Sequence, residues 1–226
     1  CSVLESVALP DIKSIGESFF EGCESLQEII IPKSVKTLGS SAFKGCSSLQ
    51  RVEIPDNVEE IGDSIFCGCS SLQAVVIPRI NHIGDSFFEN CEALDEFSIP
   101  DCVTALGNAV FKNCKSLQLI EIPASVTEMG DSVFCGCSTL QKVNIPDVGY
   151  LRDSFFEGCK SLQEIVIPDS ICKLGESVFA GCYSLENIQI PEKVTEIGNY
   201  VFRDCRSIQN LMIPENVNSF GKDVFS

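Results

Sequence analysis

The segment CESLQEIIIPKSVKTLGSSAFKG, residues 23–45, decides how this chain folds. Within it Ile29 and Ile31 fall on one side of an extended run and Glu28 and Ile30 on the other, the period-two alternation of a strand. The run is rich in the β-branched residues that strands favour. Pro32 has no N–H for a continuing ladder and marks the end of the strand. Val35 and Leu38 turn the chain back over the apolar side, and Gly39 permits a tight or positive-φ bend. The residue after that glycine is commonly acidic or amide, as at Asp63, Asp131, Glu176 and Asn199, which suits the cap of a short helical turn. This turn carries Phe43 inward. It ends at Gly45, a position held elsewhere by Asn90, Asn113 and Asp204, residues that tolerate a left-handed exit.

The same spacing runs through all 226 residues. Cysteines at 1, 23, 46, 69, 91, 114, 137, 159, 182 and 205 open ten units of 22 or 23 residues. All ten prolines share one column, Phe fills another from Phe20 to Phe225, and the Gly column breaks only at Arg152. Units 1, 4 and 7 have 22 residues, lack one position after Pro, and carry a doubled Phe at Phe19-Phe20, Phe87-Phe88 and Phe155-Phe156. A triplet of 68 residues is thus written three times, with a tenth unit left over. Self-similarity at this period signals a solenoid, in which no unit buries its own apolar side and stacking does so for all. Strands of consecutive units are expected to pair in parallel about 4.8 Å apart, in a sheet roughly 45–50 Å long. The expected fold is a curved right-handed α/β solenoid of ten repeats. A parallel sheet lines its concave face, and short helical turns or loops form the convex side. It reads as one domain over 1–226, and as a portion of a longer chain, since it begins at Cys1 with no signal peptide in view.

Written as Cys-x-x-Leu-x-x-Ile-x-Ile-Pro-x-x-Val-x-x-Ile-Gly-x-x-x-Phe-x-Gly, the unit resembles the BspA-type, or Treponema-type, leucine-rich repeat of bacterial surface proteins and some protists. The resemblance spans the whole chain. It implies a leucine-rich-repeat solenoid and a non-catalytic, protein-binding role that includes adhesion, with a place at the cell surface. Ala before the column Phe is frequent in that family, whereas only Ala42 matches here.

No catalytic constellation accompanies the repeat. His82 is the single histidine and reads as an exposed turn residue, since no recurring Asp or Ser stands with it to make a triad. No cofactor or metal is implied. The ten column cysteines sit beside Leu and Phe, where Cys behaves as a small buried hydrophobe. Cys67, Cys102, Cys135 and Cys172 replace polar residues and are expected to be exposed. Three coils separate Cys67 from Cys135, too far for a disulfide, and unpaired thiols fit a reducing compartment. The absence of an Asn-x-Ser/Thr acceptor points the same way. Cys67-Gly68-Cys69 and Cys135-Gly136-Cys137 lack the spacing of zinc knuckles. The acidic row after Pro, from Asp11 to Glu215, reads as solvated turn residues. A net charge of −16 excludes nucleic acid and anionic membrane as partners, because phosphates would be repelled. No apolar run approaches the roughly 20 residues of a membrane span.

Two columns on the outward side of the strand vary from unit to unit while the inward columns stay fixed. Along them Ile30, Val76, Leu119, Val166 and Met212 are apolar where a bland surface is polar, interspersed with Arg51, Glu53, Glu121, Lys142 and Gln189. Apolar residues distributed among charges suit a protein partner, although β-propensity alone also recruits Val and Ile to exposed strands. Two functions remain open from the residues. One is a protein-binding solenoid acting through its concave sheet, as in BspA-like adhesion proteins. The other is an intracellular structural subunit, whose exposed strand edges invite self-assembly through the ends.

Overall fold

The computed structural model describes Cys1 and residues 3–226. The chain winds through about nine turns of a parallel-strand β-solenoid with the leucine-rich-repeat fold. The outward and inward faces of the anticipated strand are as the alternation requires. In Glu28–Ile30, Arg51–Glu53 and Glu164–Val166 the central residue is buried and its neighbours are exposed. Inward columns of Cys, Leu, Ile, Val and Phe merge into one buried cluster running from Ile15 to Val224. Its spine is the Phe column. Phe20, Phe43, Phe66 and their successors stack with centroids 5.5–5.8 Å apart and planes within 16°, the offset arrangement aromatic quadrupoles favour.

Three expectations are corrected. First, the strand-face sheet is not continuous. It pairs unit 1 with 2, 3 with 4, 6 with 7 and 8 with 9, with a single bridge from Ala74 to Glu96. Units 5 and 10 form no strand there. In unit 5 Phe97 occupies the inward position that Ile, Val or Leu holds elsewhere, and its ring lies half-buried against Phe88 and Phe111, at 4.7 and 5.6 Å.

Second, no helix occurs among the described residues. The side opposite the strand face is built of tight turns. Ser18 at φ 54° and Gly22 at φ 68° are left-handed, and this alternation, repeated in each unit, prevents any helical run. The N–H groups of Ser18, Phe20 and Gly22 are spent on carbonyls of the next unit, Ser40, Ala42 and Lys44, at 2.8–2.9 Å. Equivalent bonds cross every boundary between neighbouring units. The residues expected to cap helices bridge units instead: the Asp85 carboxylate accepts from the Asn108 N–H at 2.7 Å, and the Asn108 side-chain oxygen from the Asp131 N–H at 2.9 Å.

Third, Gly39 and its column are not needed for positive φ. In the 23-residue units the previous coil lies against them. A Cβ at Gly130 would come within 2.6 Å of the Asn108 nitrogen and the Gly107 carbonyl carbon, closer than real Cβ atoms approach backbone.

A second, two-residue strand precedes this glycine in each unit, for example Thr37–Leu38 and Glu60–Ile61. Leu38 is its buried member. These strands form three separate parallel ladders, over units 1–3, 4–6 and 7–10. The breaks fall where each 22-residue unit begins a triplet. Gly39, Gly62, Gly107 and Gly130 each donate to the preceding unit at 2.8–2.9 Å, whereas Gly84 and Arg152 make no such bond among the described residues. The residue missing after Pro shifts the short unit out of register. With the backbone drawn away, the nearest backbone atom to a Cβ at Gly84 is 3.3 Å distant, and the equivalent position of unit 7 accommodates Arg152.

Candidate functional site

Because inward positions alternate with outward ones, the strand carries its variable residues into solvent. Ile30, Val166 and Met212 are 81%, 84% and 82% exposed, and Val76 and Leu119 are 59% and 64% exposed. Arg51, Glu53, Glu121, Lys142 and Gln189 are exposed as well. All ten candidates therefore share one face, although Met212 follows a segment with no regular strand. Three shallow depressions run along this face. One of about 580 Å³ is lined by Ala74, Glu96 and Leu119. A second of about 800 Å³ is bounded by Phe97, Leu119 and Glu121. A third of about 630 Å³ lies between Lys142, Val166 and Asn187. Lys142 and Asn144 border both of the larger two. The Asn144 side chain also closes a two-way bond with the Ile122 backbone, accepting from its N–H and donating to its carbonyl at 2.8 Å each. The depressions were not foreseen from sequence. The one signal, for two of them, was Phe97, an outsized residue in an aliphatic column.

The column thiols form a ladder. Cys46 donates to the Phe20 carbonyl at 3.2 Å, Cys69 to Phe43 at 3.1 Å, and the pattern continues to Cys205 and Phe179 at 3.0 Å. Burial pushes Cys46 and Cys205 up to about 12 and raises the others in the column from Cys69 to Cys182. A neutral thiol is a poor nucleophile and a poor metal ligand. All fourteen cysteines are free.

The four extra cysteines are less accessible than expected. Only Cys172 is exposed, while Cys67, Cys102 and Cys135 are half-buried. Cys102 and Cys172 donate to the Ile80 and Gly149 carbonyls of the preceding units. Burial, then the Glu89 or Glu157 carboxylate, holds the Cys67 and Cys135 thiols above the ordinary range. His82 begins the two-residue strand His82–Ile83 rather than lying in a turn, and its side chain is exposed. On the flanks sit aromatic–cation groups that composition alone does not reveal. Tyr150 lies between Arg152 and Lys173, and Tyr183 between Lys160 and Arg206, each cation within 5.0–5.8 Å of the ring. No helix among the described residues is long and apolar enough to cross a membrane.

The whole chain matches the family model of BspA type leucine rich repeat regions, over residues 1–118 and 104–226. Solved structures agree. A leucine-rich repeat protein from Bacteroides ovatus is 31% identical over 100% of this chain and 71% of its own, with a TM-score of 0.72. A leucine rich repeat protein from T. pallidum is 32% identical over 80% of this chain and 82% of its own, with a TM-score of 0.64. A leucine rich cell surface protein from Faecalibacterium prausnitzii is 26% identical over 92% and 79%, with a TM-score of 0.53. No functionally curated protein shows significant similarity in sequence.

Proposed function

The chain belongs to the BspA-type leucine-rich repeat family, and on that premise we propose that it is a non-catalytic solenoid of ten repeats that binds a protein through its concave strand face. The observation that carries this reading is the set of apolar side chains, from Ile30 to Met212, held 59–84% exposed on one face, with Leu119 and Val166 lining its depressions. Solvated aliphatics in such number suit a partner that covers them. Leucine-rich-repeat solenoids are generally used for protein binding. A surface adhesion role is the specific form we favour, in keeping with the likeness to a leucine rich cell surface protein of F. prausnitzii.

The test is a triple substitution, Val76→Asp, Leu119→Asp and Val166→Asp, in protein crosslinked to its native partner. Loss of the crosslinked species with the fold intact by circular dichroism supports the reading. An unchanged crosslink sinks it. A second reading, association of copies through the outer units, draws on Phe19 and Phe225, each 60% exposed. Sedimentation as a concentration-dependent oligomer, abolished by Phe225→Lys, would favour it.

A further inference from the structure

Charge is distributed unevenly over this molecule. Ion pairs link neighbouring units on the flanks and the turn side: Lys36 with Glu59 and Lys115 with Glu92 at 2.6 Å, and Lys173 with Glu196 at 2.9 Å. Lys112 with Glu89 and Lys44 with Glu21 follow the same pattern at 3.3 and 3.5 Å. The strand face has none among the described residues, although its columns offer the same opportunity. Arg51 lies one unit from Glu28 and Lys142 one unit from Glu164, yet no pair forms at either place. The strands of units 2 and 3, and of units 7 and 8, are also unpaired.

The two outward columns thus present five carboxylates, Glu28, Glu53, Glu96, Glu121 and Glu164, against the cations of Arg51 and Lys142. The edge beside them adds the exposed row that follows Pro, acidic at seven of its ten positions from Asp11 to Glu215 and interrupted by Lys33, Arg79 and Ala124. Strands about 4.8 Å apart place the charges of neighbouring units within a Debye length of about 8 Å at physiological salt, so their fields add. The face therefore carries a net negative charge that no ion pair neutralises among the described residues, around side chains that water solvates poorly.

We infer that the partner of the strand face is a basic, amphipathic protein segment, whose Lys and Arg side chains neutralise these carboxylates while its apolar side chains cover Val76, Leu119 and Val166. This rests on the protein-binding reading above and specifies its chemistry. A basic segment would be drawn to this net negative face, which favours fast, salt-sensitive association.

The probe is a short peptide alternating Lys and Leu, titrated against the intact chain by fluorescence anisotropy. Peptides alternating Glu with Leu and Lys with Ser serve as comparators. The first variant is Glu53→Gln, Glu121→Gln, Glu164→Gln. Its control, Glu17→Gln, Glu60→Gln, Glu128→Gln, makes the same charge change away from the face. The inference expects the face variant to weaken Lys–Leu binding by about tenfold or more, the control by less than about twofold, and added salt to weaken it steeply. Equal loss in both variants, or equal binding of Lys–Ser, would mean diffuse attraction to an acidic protein and overturns it. A further variant, Leu119→Ser with Val166→Ser, separates the two readings. If these serines abolish native-partner crosslinking while the glutamines leave it intact, protein binding stands and the charge inference falls. If neither set affects it, both fall.

Discussion

The boundary between units 3 and 4 and the boundary between units 4 and 5 join units of the same repeat pattern by different means. Both carry the turn-side bonds, with Ser64 and Phe66 donating across the first, and Ser86 and Phe88 across the second. On the other flank they diverge. At the second boundary His82–Ile83 pairs with Ala105–Leu106 and Gly107 donates to Ile83. At the first that ladder is open, the glycine N–H makes no bond to the earlier unit, and Phe87 packs edge-on against Phe66 at 5.8 Å. The boundary between units 6 and 7 repeats this, with Phe155 against Phe134 at 5.7 Å. Deleting one residue exchanges the short ladder for aromatic packing, while the strand face stays paired across both open joints. The repeats are thus held by two kinds of joint, and the turn side is the element common to all.

The comparison breaks most readily at the doubled Phe. Phe87→Ala or Phe155→Ala removes a fully buried ring, and the expected loss is about 3–5 kcal/mol by urea denaturation. A matching Val110→Ala, at a boundary that keeps its ladder, is expected to cost less, because fewer atoms leave the core. Equal losses would remove the distinction between the joints.

Crowding gives the next largest contrast. Gly130→Ala pushes a Cβ into the backbone of unit 5, and about 1–3 kcal/mol of destabilisation is expected. Gly84→Ala meets chiefly the Asp63 carboxylate, the end of a movable side chain, so thermal unfolding should change little. If both alanines are equally harmful, the open joint is not a relaxed one.

Alkaline pH tests whether the joints uncouple. The buried thiols have raised proton affinity in the folded state, near 12 for Cys46 and Cys205 against about 9 unfolded. Between these values the unfolded chain binds fewer protons than the folded one, so stability present below pH 9 is lost as pH rises toward 12. A single alkaline transition followed by circular dichroism is expected if the turn side couples the triplets. Separate steps would show that the open joints let them melt apart. The smallest effect is local. The amide hydrogens of Gly84 and Arg152 should exchange faster than those of Gly62 and Gly107, which are bonded across units. Below unfolding conditions, Cys172 should be alkylated ahead of Cys67 and Cys135, whose raised thiols ionise less at pH 8.

What could be read from sequence was whatever depends on one unit compared with the next. The inward columns, the strand face with Val76 and Val166 outward, and the triplet period all follow from spacing and polarity. The left-handed positions at Asn90 and Asn113 were likewise legible from residue type. Hidden features depend on how one coil lies on another. A two-residue strand such as Thr37–Leu38 is too short to show alternation. The close approach that demands Gly130 is a distance between coils, and the half-burial of Cys67 and Cys135 depends on neighbours across a boundary. The helical turn was misjudged because Ser41, an ordinary L-residue, adopts φ 59°, which residue type seldom announces.

Arg152 has a consequence for how such genes change length. Within a triplet, neighbouring units are joined by the short ladder and by a glycine that admits no side chain. At the open joints those two constraints lapse, while the strand-face pairs and the turn-side bonds remain. A recombination event that cuts there and inserts or removes a 68-residue cassette preserves the short ladders inside each cassette and rejoins the chain through the turn side and the strand face. The reach of the solenoid can thereby grow or shrink in whole triplets across generations, with the joint, rather than the individual repeat, as the unit of inheritance.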